Sequence, residues 1–416
     1  MVRARGGGVT GQRSFPCHSR GVAAPRPDSV SFARCVADID LGAIADNFRE
    51  LAARLHPSTN TLAVVKADAY GHGMVPVART LAAAGADLFG VATLDEGIAL
   101  RAAGIRQPVL AWLWPPTEDP GPALRAGVDL AVSSLAQLNA VLAADTGTGT
   151  GAGPDGAPRV HLKVDTGLGR GGAGPADIDA LLQAAAAAER AGRLRVEGLM
   201  SHLASADIPG DPSVAEQAKA FIDIRQAAHL AGLRPAHVHL ANTAAAIDHP
   251  DLQFTTVRLG IGLYGLNPVG TELRLRPAMT LRAAVALTKR VPGGHGVSYG
   301  LTYRTDGPST LALVPLGYAD GIPRIASSRA QVLLRDKRFR IAGRVAMDQF
   351  VIDCGDTEVA AGDPVTVFGP GDNGEPTAGE WAKHCETIDY EIVTRIGPRV
   401  PRRYPGDGGA EAVTSR

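Results

Sequence analysis

The stretch TLAVVKADAYGHGMVPVARTLAAAGADLFGVA (Thr61–Ala92) contains two short apolar runs separated by an Ala/Leu-rich segment of helical pattern. A strand, a helix and a second strand in this order form the βαβ unit of a parallel sheet. The first run ends at Lys66, and acidic, aromatic and glycine residues follow it at once. The stretch therefore predicts one unit of a parallel α/β fold with a lysine at the carboxyl end of its first strand.

The same alternation recurs along the first part of the chain. Eight β-type runs are TLAVV (61–65), LFGVA (88–92), PVLAWLW (108–114), VDLAV (128–132), VHLKVD (160–165), LRVEGLMSHL (194–203), HVHLA (237–241) and FTTVR (254–258). Helical patterns lie between them, and eight strand–helix units predict a TIM-type (β/α)₈ barrel over residues 35–266. Alternating runs follow, typical of a mostly antiparallel β domain over residues 267–405.

The remaining segments have the composition of extensions and loops. Residues 1–34 are rich in Arg, Gly, Ser and Pro and predict a disordered extension, whether or not they are translated. Residues 146–158 predict a flexible loop, and 406–416 a tail.

The composition of the chain gives no indication of a nucleic-acid, membrane or metal partner. With 42 basic and 42 acidic residues, the chain shows no charge excess that would indicate nucleic acid or an anionic membrane as a partner. No apolar run approaches the roughly 18 residues that span a bilayer. The four cysteines lack metal-ligand spacing and predict neither a metal site nor a disulfide framework. A long chain without disulfides is typical of a reducing compartment, so the sequence predicts a cytoplasmic location.

Active sites of such barrels lie at the carboxyl ends of the strands. The polar and glycine residues at those positions are Lys66, Lys163, Arg170, His202, Asn242, Thr243, Arg258 and Gly260. A lysine desolvated in a barrel mouth has a lowered pKa and can act as an imine-forming nucleophile, although most lysines on βα loops are ordinary surface residues. The run VRLGIGLYG (257–265) fits a phosphate-binding turn and a plain βα turn equally well.

The segment GLGRGG (167–172) has the spacing of a dinucleotide-binding fingerprint, with Glu189 at a suitable distance. It lies in the middle of the repeated units rather than at the start of a fold, and GGAGP delays the next helix. We therefore interpret it as a glycine-rich active-site loop that carries Arg170.

Nine motifs in order carry a resemblance to a known family. They are AVVKADAYGHG, LKVDTGLGRGG, MSHLASAD, HLANTAAA, VRLGIGLYG, GVSYGLTY, PLGYADG, VAMDQ and DYEIVTRIGPRVPR, and they span about residues 35–404. Together they resemble the pyridoxal-phosphate-dependent alanine racemases of the barrel type. The resemblance implies the same barrel and β domain that the strand pattern predicts, a homodimer with shared active sites, and alanine as the small-molecule substrate.

The resemblance also implies roles for individual residues. Lys66 would hold pyridoxal 5′-phosphate as a Schiff base, and Tyr70, His202, Thr243, Arg258, Gly260, Ile261 and Tyr390 would complete the cofactor site. Arg258 would face the pyridine nitrogen, and His202 would stack on the ring. Lys66 and Tyr299 would be the two catalytic bases, with Tyr299 supplied by the neighbouring subunit. Arg170, Met347 and Asp348 would bind the substrate, and Lys163 matches a lysine that some members carbamylate.

Alternative functions remain at this stage. A broader amino-acid or serine racemase, or a decarboxylase on the same barrel, would use the same cofactor, although VAMDQ with GVSYG fits racemisation better. A non-catalytic pyridoxal-phosphate carrier would lack the β domain and the opposing tyrosine. The leading hypothesis is racemisation of L- and D-alanine, which the resemblance connects with the supply of peptidoglycan precursors.

Overall fold

A computed structural model of the chain describes residues 34–144 and 157–405. The predicted disordered extension, the loop at 146–158 and the tail at 406–416 lie outside the described residues, apart from residues 34, 157 and 158.

Eight parallel strands form the barrel. In chain order the first nine strands are β1 (Cys35–Ile39), β2 (Asn60–Val64), β3 (Leu88–Val91), β4 (Val109–Ala111), β5 (Val128–Val132), β6 (Arg159–Lys163), β7 (Arg195–Met200), β8 (His237–His239) and β9 (Thr256–Leu259). Strands β2 to β9 lie in the order β8, β7, β6, β5, β4, β3, β2, β9. The amide of Arg258 donates to Ala241 O at 2.9 Å and so joins the last strand to the end of β8. The predicted barrel fold is confirmed.

Helices follow the strands and cover the barrel. They are α1 (Leu41–Ala52), α2 (Lys66–Gly71), α3 (Met74–Ala84), α4 (Leu94–Ala102), α5 (Gly121–Arg125), α6 (Leu135–Ala143), α7 (Ile178–Arg190), α8 (Pro212–Leu230) and α9 (Thr243–Asp248). Polar side chains cap several of them, as in α4, where Thr93 and Glu96 form a reciprocal capping box. Short 3₁₀ helices lie at Pro250–Leu252 and Ile261–Tyr264.

The inside of the barrel is divided into an apolar side and a polar side. Strands β2 to β5, with the end of β7, contribute a small apolar cluster of Leu62, Val64, Leu88, Leu110, Ala131 and Met200. The inward positions of β5, β6, β8 and β9 instead carry buried Asp129, His161, His239 and Arg258. Buried polar groups require partners, so this second side has to be a hydrogen-bonded set.

The second part of the chain is built mainly from antiparallel strands. They are β10 (Met279–Ala284), β11 (Leu287–Val291), β12 (Gly296–Val297), β13 (Tyr303–Arg304), β14 (Ser309–Val314), β15 (Gln331–Leu334), β16 (Lys337–Arg340), β17 (Phe350–Asp353), β18 (Pro364–Phe368) and β19 (Arg402–Arg403). A six-stranded sheet has the order β16, β15, β18, β10, β1, β19, and β11, β14 and β17 form a second sheet. Two helices, α10 (Ala378–His384) and α11 (Asp389–Thr394), and 3₁₀ turns at Tyr299–Leu301 and Arg324–Ala326 complete it.

The first strand departs from the predicted domain boundary. Residues Cys35 to Ile39 pair antiparallel with β10 and parallel with β19, so they belong to the C-terminal sheet and not to a barrel that begins at residue 35. All five side chains of β1 are buried. A short apolar run carries no information about its pairing partner, because that partner is set by contacts distant in sequence.

The alternating run AAVALTKRV (283–291) is divided between two sheets. Its first residues end β10, whereas Leu287–Val291 form β11 of the other sheet. Within residues 34–144 and 157–405, no helix is long and apolar enough to cross a membrane.

Candidate active site

A cavity of about 300 Å³ opens at the carboxyl ends of the barrel strands. Its lining residues are Val64, Lys66, Tyr70, Trp112, Lys163, Met200, Arg170, His202, Asn242, Thr243, Ala244, Arg258, Gly260, Ile261 and Tyr390. All eight residues expected to bind the cofactor lie on this wall, together with Arg170 and Lys163; their roles remain predictions. Trp112, which directly follows β4, was missed, because the sequence pattern extended that strand to residue 114 and the search was limited to polar and glycine residues.

Lys66 is held at the start of a left-handed turn. The φ angles of Ala67, Asp68, Ala69 and Tyr70 lie between 53° and 54°, and Gly71 follows with φ 81°. Left-handed geometry costs a non-glycine residue about 1–2 kcal/mol, so four in a row require strong support from surrounding contacts. The turn brings Lys66 and Tyr70 to the same cavity.

Contacts from both parts of the chain support this turn. Glu96 accepts a hydrogen bond from the amide of Ala67 at 2.6 Å, and Asp68 accepts one from Met74 N at 2.7 Å. Arg402, the first residue of β19, donates to Gly71 O at 3.0 Å. A Cβ at position 71 would lie 2.6 Å from Val393 O, so only glycine fits there. The C-terminal domain thus helps to shape the turn that presents the lysine.

The electrostatic surroundings shift the amines of Lys66 and Lys163 towards the neutral form. Burial, followed by the nearby positive charge of Arg170, lowers the pKa of Lys66, and Glu96 partly opposes this shift. Burial and the charges of Arg170 and Arg258 lower the pKa of Lys163 in the same way. An amine with a lowered pKa is more often unprotonated at neutral pH and therefore available as a nucleophile or a base.

Arg258 is anchored through both terminal nitrogens of its guanidinium group. Its Nη1 donates to His239 O at 2.8 Å and to His239 Nδ1 at 3.2 Å. Its Nη2 donates to Ser201 O at 2.7 Å, to Leu240 O at 2.9 Å and to His202 Nδ1 at 3.1 Å. Among the described residues none accepts from its Nε–H, and Arg258 lines the cavity, so this donor is left for a ligand.

The charges of these cavity groups follow from their burial. Burial and the charge of Arg170 lower the pKa of Arg258 to about 10, which keeps it a cation at neutral pH. Burial, then Arg258 and Arg170, lowers the pKa of His202 to about 3. His202 is therefore neutral, and because its Nδ1 accepts from Arg258, its proton is on Nε2.

Hydroxyl groups and a glycine turn form the opposite end of the cavity. The amide of Gly260 donates to Thr243 Oγ1 at 2.8 Å, which leaves the threonine proton free to donate elsewhere. A Cβ at position 260 would lie 2.8 Å from Tyr70 Oη, so any larger residue there would have to displace the phenol. The ring of Tyr390 lies 6.4 Å from that of Tyr70, and burial raises the pKa of both, to about 12 for Tyr70. These phenols remain hydrogen-bond donors at neutral pH.

Three predicted residues lie away from this cavity. Tyr299 is 69% exposed and Met347 is 53% exposed, and neither lines the cavity of its own chain. Asp348 also lies outside the cavity, paired with Arg399 at 2.8 Å. The Tyr299 and Met347 segments adjoin each other, because Ser298 Oγ donates to Arg344 O at 2.6 Å.

Comparison with known proteins gives a consistent result over both parts of the chain. Residues 39–268 match the family model "Alanine racemase, N-terminal domain", and residues 278–404 match "Alanine racemase, C-terminal domain". The alanine racemase of Frankia casuarinae is 52% identical over 377 residues, which cover 89% of this chain and 96% of that relative.

Solved structures agree with these matches. The crystal structure of alanine racemase from Streptomyces lavendulae is similar with a TM-score of 0.86 and 47% identity, covering 91% of this chain and 98% of that one. The enzyme from Streptomyces coelicolor is similar with a TM-score of 0.85 and 49% identity, covering 90% and 98%.

Proposed function

Because this chain belongs to the alanine racemase family of isomerases, we propose that it interconverts L- and D-alanine with two bases, Lys66 of one subunit and Tyr299 of a second copy. The observation that carries this proposal is the separation of the two residues. Lys66 lines the cavity, whereas Tyr299 is 69% exposed outside it. We propose that the base for the opposite face of the substrate comes from Tyr299 of another chain, in a homodimer with shared sites.

The cavity fits pyridoxal 5′-phosphate. The free Nε–H of Arg258 matches a pyridine nitrogen that accepts a hydrogen bond, and Lys66 supplies the amine that would hold the carbonyl carbon. The hydroxyls of Tyr70, Thr243 and Tyr390 and the backbone at Gly260 and Ile261 would hold the phosphate. When bound, the cofactor supplies an electron sink that acidifies the Cα–H of an amino acid.

Racemisation requires a proton to leave one face of Cα and return to the other. Lys66 is suited to one face, because it lines the cavity and its lowered pKa increases the fraction of unprotonated Nζ. The phenol of Tyr299 of the partner subunit would act on the opposite face. We assign Lys66 to the proton of D-alanine and Tyr299 to that of L-alanine.

The remaining cavity residues orient these groups. The guanidinium of Arg170 provides a fixed charge for the substrate carboxylate, and neutral His202 would pack against the cofactor ring. Met347 and Asp348 of the partner subunit would narrow the space beside the alanine methyl group. Arg258 stays charged and anchored, so its proton is not readily given to the pyridine nitrogen and the electron sink stays weak.

Carbamylation of Lys163 is part of the proposal. Its lowered pKa favours the free amine, which adds to carbon dioxide to form a carbamate with release of one proton. The product would place a negative charge beside Arg170. We further propose that the D-alanine serves peptidoglycan precursors.

Complementation between two inactive variants tests the shared site. Lys66→Ala and Tyr299→Ala are each expected to be inactive when purified alone. Co-expression forms mixed dimers in which one of the two sites has both bases, so random pairing predicts about a quarter of the wild-type activity per chain. If the co-expressed protein contains mixed dimers but shows no racemase activity, the proposal that the partner subunit supplies the second base is refuted.

A further inference from the structure

A chain of buried polar side chains runs through the barrel from the cavity to the opposite end. Arg258 Nη1 lies 3.2 Å from His239 Nδ1, and His239 Nε2 lies 3.0 Å from His161 Nδ1. His161 Nε2 points to Asp129 Oδ2 at 3.9 Å, and Arg159 donates to the other oxygen of that carboxylate at 2.7 Å. Asp129 is 3% exposed and both histidines are 0% exposed. We call these four groups, Arg258, His239, His161 and Asp129, the barrel relay.

The arginine imposes a direction on the barrel relay. A guanidinium group only donates, so His239 Nδ1 has to be the acceptor and the proton of His239 has to be on Nε2. His239 then donates to His161 Nδ1, and the proton of His161 has to be on Nε2. Burial lowers the pKa of His161 to about 3 and that of His239 well below its usual range, so both rings stay neutral.

The far end of the barrel relay supports this direction. The Nε2 of His161 is buried and has no hydrogen-bond partner among the described residues. Its proton faces the carboxylate of Asp129, which attracts it across 3.9 Å. In the reversed arrangement a lone pair of His161 would face that carboxylate, and the N–H of His239 would face an N–H of Arg258. Both contacts would be repulsive.

The backbone makes room for the central histidine. A Cβ at position 198 would lie only 2.0 Å from His161 Nδ1, so β7 has to carry glycine beside the ring. The pairing of β6 with β7 also shifts between Val160 and His161, which places His161 opposite Gly198. An irregular pairing and a glycine at the same place show that this part of the barrel is shaped around the imidazole.

We propose that Asp129 and His161 are positioning residues for the racemisation proposed above, and that they hold Arg258 through the tautomer of His239. With Nη1 and Nη2 fixed by the barrel relay and by main-chain carbonyls, the free Nε–H keeps a constant direction into the cavity. Neither Asp129 nor His161 lines the cavity, so they act on the ligand only through Arg258.

Ring-nitrogen NMR of the cofactor-loaded dimer tests the direction of the barrel relay. The protein would carry ¹⁵N-labelled histidine rings in a deuterated background, with each of the 11 histidines assigned by substitution. For His161 and His239 we expect a protonated Nε2 and an unprotonated Nδ1 at neutral pH. A proton on Nδ1 of either ring, or on both nitrogens, would overturn the proposal.

Two variants and a matched control test the effect on Arg258. His161→Phe removes the acceptor of His239, and Gly198→Ala displaces the ring of His161 without removing a polar group. Each is expected to change the His239 tautomer signal and to weaken pyridoxal phosphate binding about tenfold, the effect of one buried hydrogen bond to a charged group. The control is His237→Gln, because His237 stacks on His161 at 5.9 Å but lies outside the barrel relay.

The outcomes separate this inference from the proposed function. His161→Phe with an unchanged His239 signal and unchanged cofactor affinity would refute it, as would an equal loss in His237→Gln. Tautomers and affinities are measured without alanine turnover, so a failure of the two-base reaction would leave them unaffected. If both variants fail to fold, the wild-type tautomers still decide whether the barrel relay has the stated direction.

Discussion

Replacing Glu96 with alanine is expected to weaken cofactor binding in addition to lowering stability. This side chain accepts three main-chain hydrogen bonds, from Ala67 N at 2.6 Å, Ala92 N at 2.8 Å and Thr93 N at 3.1 Å. The bonds from Ala92 and Thr93 cap the N-terminus of α4. The bond from Ala67 holds the first residue of the left-handed turn beside Lys66.

The size of the effect follows from the geometry. Three hydrogen bonds to a half-buried carboxylate, at about 1 kcal/mol each, give a loss of about 3 kcal/mol in the free energy of unfolding. Residues 67–70 hold a conformation that costs about 4–8 kcal/mol in total, so losing the contact at Ala67 releases part of that strain. The bond to Ala67 alone, at the same value of about 1 kcal/mol, corresponds to about a fivefold loss of cofactor affinity.

Thr93→Ala is the matched control. It removes the bond from Glu96 N to Thr93 Oγ1 at 3.3 Å and so weakens the same helix start by about 1 kcal/mol. It leaves the contact between Glu96 and Ala67 in place. Urea unfolding would measure stability, and titration of the cofactor-free protein with pyridoxal phosphate, followed by absorbance, would measure affinity.

The comparison between the two variants decides the outcome. We expect Thr93→Ala to bind the cofactor within about twofold of wild type, a difference smaller than one weak hydrogen bond. If Glu96→Ala also binds like wild type, or if the two variants lose affinity in proportion to their stability alone, the contact at Ala67 does not hold the lysine turn and the reasoning is refuted.

Three further predictions follow from the same geometry. Tyr299→Phe should abolish racemisation while D-alanine still exchanges its α-proton in D₂O, measured by NMR; equal loss of both would contradict the two-base assignment. Arg402→Met should weaken cofactor binding about tenfold because the contact with Gly71 O is lost, and an affinity equal to wild type would show that the C-terminal domain does not shape the turn. Burial lowers the pKa of His72 to about 4 and of His161 to about 3, so the unfolded chain binds more protons below pH 6.5. The free energy of unfolding should therefore fall by about 1.4 kcal/mol per pH unit for each histidine as the pH drops from about 6.5 towards 4, measured by urea unfolding; a flat profile would contradict buried neutral rings.

Local patterns in the sequence were sufficient to predict the barrel. Period and composition distinguish a short buried strand from an amphipathic helix, and the eight apolar runs correspond to strands β2 to β9. The same patterns indicate where each strand ends, which is why Lys66, His202 and Arg258 could be selected as candidates. The assignment of a role to each of them depended on the family resemblance, which a strand pattern does not supply.

The tertiary structure decided the features that local preference opposes or does not encode. Four non-glycine residues after Lys66 adopt left-handed geometry because Glu96 and Arg402, distant in sequence, offset its cost. The pairing of β1 with the C-terminal sheet is likewise a long-range contact.

The buried histidines of the barrel interior also show the difference between what the sequence indicates and what the fold decides. From the sequence, His161 and His239 are histidines within two different apolar runs, and the alternation within each strand does not indicate that the two side chains meet. Closure of the barrel brings residues 78 positions apart within 3.0 Å and gives each ring a donor or an acceptor. The sequence alone thus determined which residues reach the barrel interior and its mouth, whereas the fold decided which of them meet, because hydrogen bonds depend on distances that only the closed barrel sets.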